Sequence, residues 1–227
     1  MTKSALLVVA KQPSPGLTKT RLCPPLNPVQ AAGLYECFLL DTLALIRQTT
    51  VNLRVLAYFP IEEREYFHHL APDFELTPQT GKDLGARLDQ LTTRYLMLGY
   101  EQVVVMDSDS PTLPIAYLRT AFEQLAENTD VVVGPCLDGG YYLIGLKQPA
   151  PALLQGVQMS TSHVTVDTIA QAAQANLHIK LLPTWYDVDD RFALDFLITH
   201  LNRLPDDVAL NTRRFLVAQF PKYKFLE

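Results

Sequence analysis

Four apolar residues, Val103-Val104-Val105-Met106, run straight into Asp107-Ser108-Asp109-Ser110-Pro111. A short, β-branched, uniformly apolar stretch suits a strand buried on both faces, as in the middle of a parallel sheet. Pro111 has no N–H to give, so pairing ends before it. Open α/β sheets bind ligands beyond the carboxyl ends of their strands, which places Asp107 and Asp109 at the mouth of a crevice. Residues two apart in an extended chain face the same way, so both carboxylates can turn toward one ion. Hard oxygen donors of this kind suit Mg²⁺ or Mn²⁺, ions commonly shared with substrate phosphates.

The rest of the chain alternates in the same sense. Ala5 to Ala10 reads as a first buried strand, then a Pro/Gly-punctuated loop to Pro28, and a helical apolar period from Ala31 to Ile46. Further strands are expected at Leu53–Phe59, Phe74–Leu76, Asp130–Pro135, Tyr141–Leu146 and Ile179–Leu182. Helices are expected at Ile61–Leu70, from Asp83 to about Leu98, and at Pro114–Glu127, Thr165–Ala175 and Arg191–Leu201. Strands alternating with helices indicate an α/β fold: a mostly parallel central sheet with helices on both faces, a three-layer sandwich. No repeat or linker interrupts it, so residues 1–204 read as one domain, with 205–227 a C-terminal helix and tail packed on it.

Bulk properties narrow the function. An apolar share of 48% argues against disorder, and a formal net charge of -5 leaves no polybasic surface for nucleic acid. The short run Ala5–Ala10 is a poor signal peptide, and no apolar stretch approaches a bilayer span. Cys23, Cys37 and Cys136 are odd in number and widely spaced, which fits a reducing, cytoplasmic setting. The five histidines show no zinc-ligand spacing. A hydrolase Gly-x-Ser-x-Gly, a Walker A loop and a dinucleotide fingerprint are all missing.

The loop after the first strand is the second strong feature. Lys11, Lys19 and Arg21 put three cations within eleven residues, where backbone N–H groups and a helix start favour an anion. Arginine can grip phosphate through two parallel hydrogen bonds, and lysine acts as a point charge. A solvated basic loop with proline-set turns is the plainer alternative.

Three motifs in order carry a resemblance: Ala10-Lys-x-Pro-x-Pro15-Gly16-x-x-Lys19-Thr-Arg21-Leu, the Asp109-Ser-Pro of the central strand, and Asp138-Gly-Gly-Tyr-Tyr-Leu-Ile-Gly145. Together they resemble the DUF2064 group, GT-A-like proteins regarded as glycosyltransferases, with the fold of the nucleotide-diphospho-sugar transferases. The likeness spans about residues 4 to 195. It implies a Rossmann-like GT-A domain in which Ala10, Lys11, Pro15, Gly16, Lys19 and Arg21 line the phosphate site. Lys19 and Arg21 would also serve catalysis there by holding the diphosphate. Asp109 matches the group's aspartate, whereas Asp107 stands where the group has glycine and restores an Asp-x-Asp.

Gln79-Thr80-Gly81-Lys82-Asp83-Leu84-Gly85 matches the group's Gln-x-Gly-x-Asp-Leu-Gly, which implies nucleotide contacts from Gln79, Gly81 and Asp83; a turn and helix cap explains it as well. Asp138 could bind an acceptor hydroxyl or act as its general base, with Gly139, Gly140 and Tyr141 beside the acceptor. Ser160 and Thr161 align with a Ser-Thr-Ser segment on the group's acceptor side, though alone they read as a helix N-cap. Asp187-Val188-Asp189, before the last expected helix, resembles the second Asp-x-Asp of related proteins. Asp189 is the expected third metal ligand with Asp187 behind it, N-capping being the plainer role.

The expected function is therefore metal-dependent transfer of a sugar from a nucleotide-diphosphate sugar to a hydroxyl of a small molecule or glycan. Two alternatives stand: a nucleotidyltransferase on the same fold, releasing pyrophosphate, and a non-catalytic nucleotide sensor. The mixed aromatic and lysine tail from Phe220 to Leu226 is expected to pack on its own domain, with a homodimer contact as the other option.

Overall fold

The computed structural model describes residues 2–220, so the tail beyond Phe220, and any dimer contact through it, lies outside the described residues. Seven strands form one sheet in the order β3-β2-β1-β4-β6-β5-β7. They are β1 (Ser4–Lys11), β2 (Leu53–Phe59), β3 (Glu75–Pro78), β4 (Gln102–Met106), β5 (Val131–Pro135), β6 (Tyr141–Leu146) and β7 (Ile179–Leu181). All pairings are parallel except those of β6, which runs against β4 and β5.

The central strands bury both faces, which is why their sequences do not alternate. Leu6, Val8, Val104 and Met106 face one layer, made by α1 (Pro28–Arg47), α2 (Arg64–Leu70) and α4 (Ile115–Ala126). Ala5, Leu7, Val103 and Val105 face the other, made by α3 (Leu84–Met97), α5 (Pro151–Leu154) and α6 (Val164–Gln174). This is the expected three-layer α/β sandwich. The short α5 was not legible in the sequence, and a 3-10 turn, Ile61–Glu63, opens the helix expected from Ile61.

A third cluster lies off the sheet. Leu22, Leu26, Leu34 and Phe38 meet Val188, residues Leu194, Leu197 and Leu201 of α7 (Arg191–Leu201), and Leu216 of α8 (Leu210–Gln219). Helix α1 is thus sandwiched between two cores, and a helix so placed is apolar over most of its circumference. Contrary to the expectation that no stretch approaches a bilayer span, this helix could cross one by length and composition; here its apolar side chains Leu34, Phe38, Leu39, Leu43 and Ile46 are fully buried in protein.

Helix α8 is fastened to α1 by a buried carboxylate. Asp41 accepts hydrogen bonds from the backbone N–H and side-chain amide of Asn211 and from the N–H and hydroxyl of Thr212, at 2.7–2.9 Å. It caps the start of α8, where Ala209 sits in the left-handed region and offers no side-chain cap. Asp41→Ala strands these donors and is expected to cost about 2–3 kcal/mol in denaturant unfolding. Asp41→Asn, which keeps part of the acceptor set, costs less.

Candidate active site

Two aspartate pairs meet at the carboxyl end of the sheet. After β4, the Asp107 N–H donates to the Tyr142 carbonyl at 2.9 Å and keeps the chain extended. Ser108 turns inward and is buried. Its hydroxyl donates to the Val9 carbonyl at 3.1 Å and meets the Tyr35 hydroxyl at 2.9 Å, which accepts the Lys11 N–H at 3.0 Å. With Ser108 pinned to β1 and α1, its two neighbours face the opposite way, into the crevice. Val188 does the same for the second pair: its side chain is fully buried, and its N–H donates to the Asp109 carbonyl at 2.9 Å. Asp107–Asp109 and Asp187–Asp189 are thereby fixed side by side.

The basic loop closes over them. Lys19 adopts the left-handed region at φ 51 and leads into a 3-10 turn, Thr20–Leu22, whose Leu22 is anchored in the third core. Its side chain, only 6% exposed, places Nζ 2.8 Å from Asp109 Oδ1 and 2.5 Å from Asp189 Oδ1. Arg21 Nη2 pairs with the other oxygen of Asp189. The rings of Tyr35 and Phe38 lie about 6 Å from the ammonium. Burial alone would lower the Lys19 pKa, but the carboxylates of Asp109 and Asp189 outweigh it and hold it above its ordinary value. Burial likewise acts against the Asp189 charge, yet Lys19 and Arg21 bring its pKa below the usual carboxylate range.

The remaining acids lack such partners. Burial, then the charges of Asp109 and Asp187, push the Asp107 carboxyl well above its ordinary value. Asp187 is raised to about 6 by burial and by Asp138 and Asp189. Ligand atoms of Cys136, Asp138 and Asp187 all lie within 4.8 Å of one another. Burial first, and then the charges of Asp107, Asp187, Asp138 and Asp109, drive the Cys136 thiol far up. Carboxylates outnumber the cations facing them, and their donors are hard oxygens, which fit Mg²⁺ or Mn²⁺. Both oxygens of Asp189, the expected third ligand, are engaged by Lys19 and Arg21, whereas Asp187 is the acid that shares its field with Asp107.

Two hollows share this wall. The larger, about 480 Å³, is lined by Ala10, Lys11, Lys19, Arg21, Gln79, Asp107, Asp109 and Asp189, and also by Tyr35 and Arg87. The smaller, about 310 Å³, lies on the other side of Arg21 and Asp189 and reaches Asp138 and Asp187. The structure therefore brings the basic loop, Gln79 and the central acids together, and puts Asp138 next door. Pro15 and Gly16 form an exposed turn that lines neither hollow.

Other expected residues have local partners. The Gln79 amide nitrogen donates to the Ala10 and Ala57 carbonyls, which bridges β1 and β2. Asp83 caps α3 through the Ala86 N–H. Gly81, at φ 137, packs so closely that a Cβ would stand 2.8 Å from the Arg87 nitrogen. Gly139, at φ 92, would drive a Cβ to within 2.0 Å of the Ser162 carbonyl oxygen, so the Asp-Gly-Gly turn needs glycine for close packing. The Gly140 N–H donates to Asp138 Oδ1 at 2.8 Å and orients that carboxylate. The Tyr141 hydroxyl lies against Met159 sulfur, and Thr161 donates to the Gln158 carbonyl. Ser160 and Thr161 do not cap α6, which starts at Val164 behind an uncapped His163. Arg87, whose guanidinium sits 4.1 Å from the centre of the Phe59 ring at the cavity's edge, was missed; nothing local in the sequence separates it from a surface arginine.

The family model for uncharacterized proteins conserved in bacteria, DUF2064, matches residues 42–161. The chain belongs to the DUF2064 family. A crystal structure from Desulfovibrio desulfuricans G20, described as a candidate nucleotide-diphospho-sugar transferase, superposes with a TM-score of 0.88 at 31% identity, over 98% of this chain and 99% of that one. A cytidylyltransferase from Leptospira borgpetersenii shares the fold at a TM-score of 0.58 and 10% identity, over 100% of this chain and 98% of that one. In sequence, the 2-phospho-L-lactate guanylyltransferase of Methanothermobacter thermautotrophicus is 28% identical over 187 residues, covering 80% of this chain and 79% of that protein. This DUF2064 member is accordingly a transferase with the nucleotide-diphospho-sugar transferase fold.

The opposed pKa shifts predict an inverted pH profile for the metal-free protein. Asp107 and Asp187 titrate higher folded than unfolded, so the folded state takes up their protons first and stability rises as pH falls from 7 toward 5. Asp189 titrates lower when folded, so its contribution is lost at more acid pH, below the usual carboxylate range. Unfolding followed across pH checks this, and Asp187→Asn should flatten the upper part of the profile.

Proposed function

We propose that the protein is a metal-dependent glycosyltransferase that moves a sugar from a nucleotide-diphosphate sugar to a hydroxyl acceptor. The observation that carries the reading is the shared wall. The larger hollow has the cations to hold a diphosphate, and the smaller, beyond Arg21 and Asp189, is floored by Asp138, Asp187, Asp189 and Asp190. An attacking phosphate would bring like charge to that floor, whereas a neutral hydroxyl would not.

Lys19 and Arg21 would hold the diphosphate and stabilise the negative charge it gains on leaving. The acceptor oxygen bonds to the anomeric carbon as that carbon's bond to the diphosphate oxygen breaks, and the bonding electron pair departs with the diphosphate. The hydroxyl proton passes to Asp138, whose Oδ1 is oriented by the Gly140 N–H. Asp107, Asp109 and Asp187 are the residues suited to hold a divalent ion, which when bound neutralises phosphate charge. Ion binding would draw on acids that are now under-compensated, and Lys19 can exchange a carboxylate for a phosphate oxygen.

Nucleotidyl transfer is the second reading, favoured by the identity to the guanylyltransferase. A cytoplasmic setting goes with either, since both use soluble nucleotides and the three cysteines are free. Product analysis with a panel of nucleotide sugars and nucleoside triphosphates, each with Mn²⁺, separates them: nucleoside diphosphate release is expected, and pyrophosphate release would install the second reading. Arg21→Ala is expected to lower kcat by about a hundredfold, in line with loss of one charge-stabilising donor. Asp109→Asn should abolish the metal-dependent part of nucleotide binding measured by thermal shift, and full retention would remove Asp109 from the site.

A further inference from the structure

The smaller hollow has a composition that specifies more than a place for an acceptor. Its floor is acidic, and among the described residues its only basic lining residue is Arg21, already paired with Asp189. Its rim is apolar and open to water: Phe192 is 83% exposed, Leu137 72% and Phe196 51%. Large side chains left this exposed are common singly, but here three border one cavity, on two separate chain segments. Behind them the aromatic wall is ordered. Phe196 sits edge-on to Tyr186, ring centres 4.7 Å apart, and Tyr186 hydrogen-bonds Thr112 at 2.8 Å and His200 at 3.0 Å.

Carboxylates accept hydrogen bonds from hydroxyls, and exposed rings offer a flat face to C–H groups or to another ring. The same carboxylates repel anions. Building on the glycosyl-transfer reading, we propose that this hollow seats a small, uncharged hydroxyl-bearing acceptor with an apolar or aromatic part, such as an aryl or alkyl glycoside. Its apolar part lies on Phe192, Phe196 and Leu137, and its hydroxyls point to Asp138 and Asp187. A volume of about 310 Å³ matches a molecule of roughly one sugar ring plus a small substituent, at the lower end of small-molecule sites. Phosphorylated acceptors are disfavoured by charge.

The test is a binding measurement and does not depend on turnover. The full-length protein is titrated by calorimetry with 4-nitrophenyl β-D-glucoside and, separately, with glucose 6-phosphate, and saturation-transfer NMR reports which probe protons touch protein. The aryl glucoside is expected to bind, with saturation reaching its ring protons, and glucose 6-phosphate should fail to compete. Phe192→Ala should weaken the aryl glucoside about three- to tenfold, the range of one lost aromatic contact. Phe192 lies outside the larger hollow, so nucleotide binding by the variant is the control for folding. Tighter binding of glucose 6-phosphate, no measurable binding of the aryl glucoside, or an unchanged affinity in Phe192→Ala would each overturn the proposal. Pyrophosphate as the enzymatic product would instead sink glycosyl transfer while leaving this binding result to stand, so the two failures are distinguishable.

Discussion

A buried ammonium held between two carboxylates is the contact on which the site depends. Lys19 is almost fully enclosed, and Asp109 and Asp189 come from loops 80 residues apart in sequence. Removing one partner from a buried pair leaves a charge without compensation, commonly about 3–5 kcal/mol. The pair therefore serves position more than stability. It pulls the first crossover loop down onto the ends of β4 and β7, and the two hollows exist because that loop stands between them.

The sheet order makes this convergence necessary. Strands β1 and β4 are parallel neighbours, so the basic loop and Asp107–Asp109 leave the sheet side by side. Strand β6 runs the other way, which brings the Asp138 turn to the same edge, since a strand entering antiparallel starts where its neighbours end. The loop after β7 then joins through the Val188–Asp109 hydrogen bond. Four separate connections thus deliver charge to one rim, the place where open α/β sheets bind ligands. The small buried residues between the acids, Ser108 and Val188, decide which way those acids point.

Much of this was readable beforehand because the signals were strong and local. Uniform apolar runs marked β1 and β4, Pro28 marked the first turn of α1, and Asp83 sat at a helix start where the structure shows it capping. What the sequence could not show were the tertiary partners of these side chains. Gln79 reads as a base-contacting amide, yet its nitrogen is spent on two strand carbonyls, a fact set by β1 and β2 lying together. Tyr141 belongs to a motif but points toward Met159, because strand alternation sends Tyr142 to one face and Tyr141 to the other. Asp187 was placed behind Asp189; spacing cannot say which of two flanking acids meets a distant lysine. The rim of Leu137, Phe192 and Phe196 was invisible, since nothing in a sequence distinguishes an exposed phenylalanine at a helix start from a core one.

The central claim is that acids at the sheet's edge receive a divalent ion while the Lys19–Arg21 loop receives phosphate oxygens. Anomalous diffraction from crystals grown with Mn²⁺ and uridine diphosphate tests it directly. The expected result is a manganese peak bounded by Asp107, Asp109 and Asp187, with the diphosphate on Lys19 and Arg21. A peak elsewhere, or a diphosphate bound away from that loop, would contradict it.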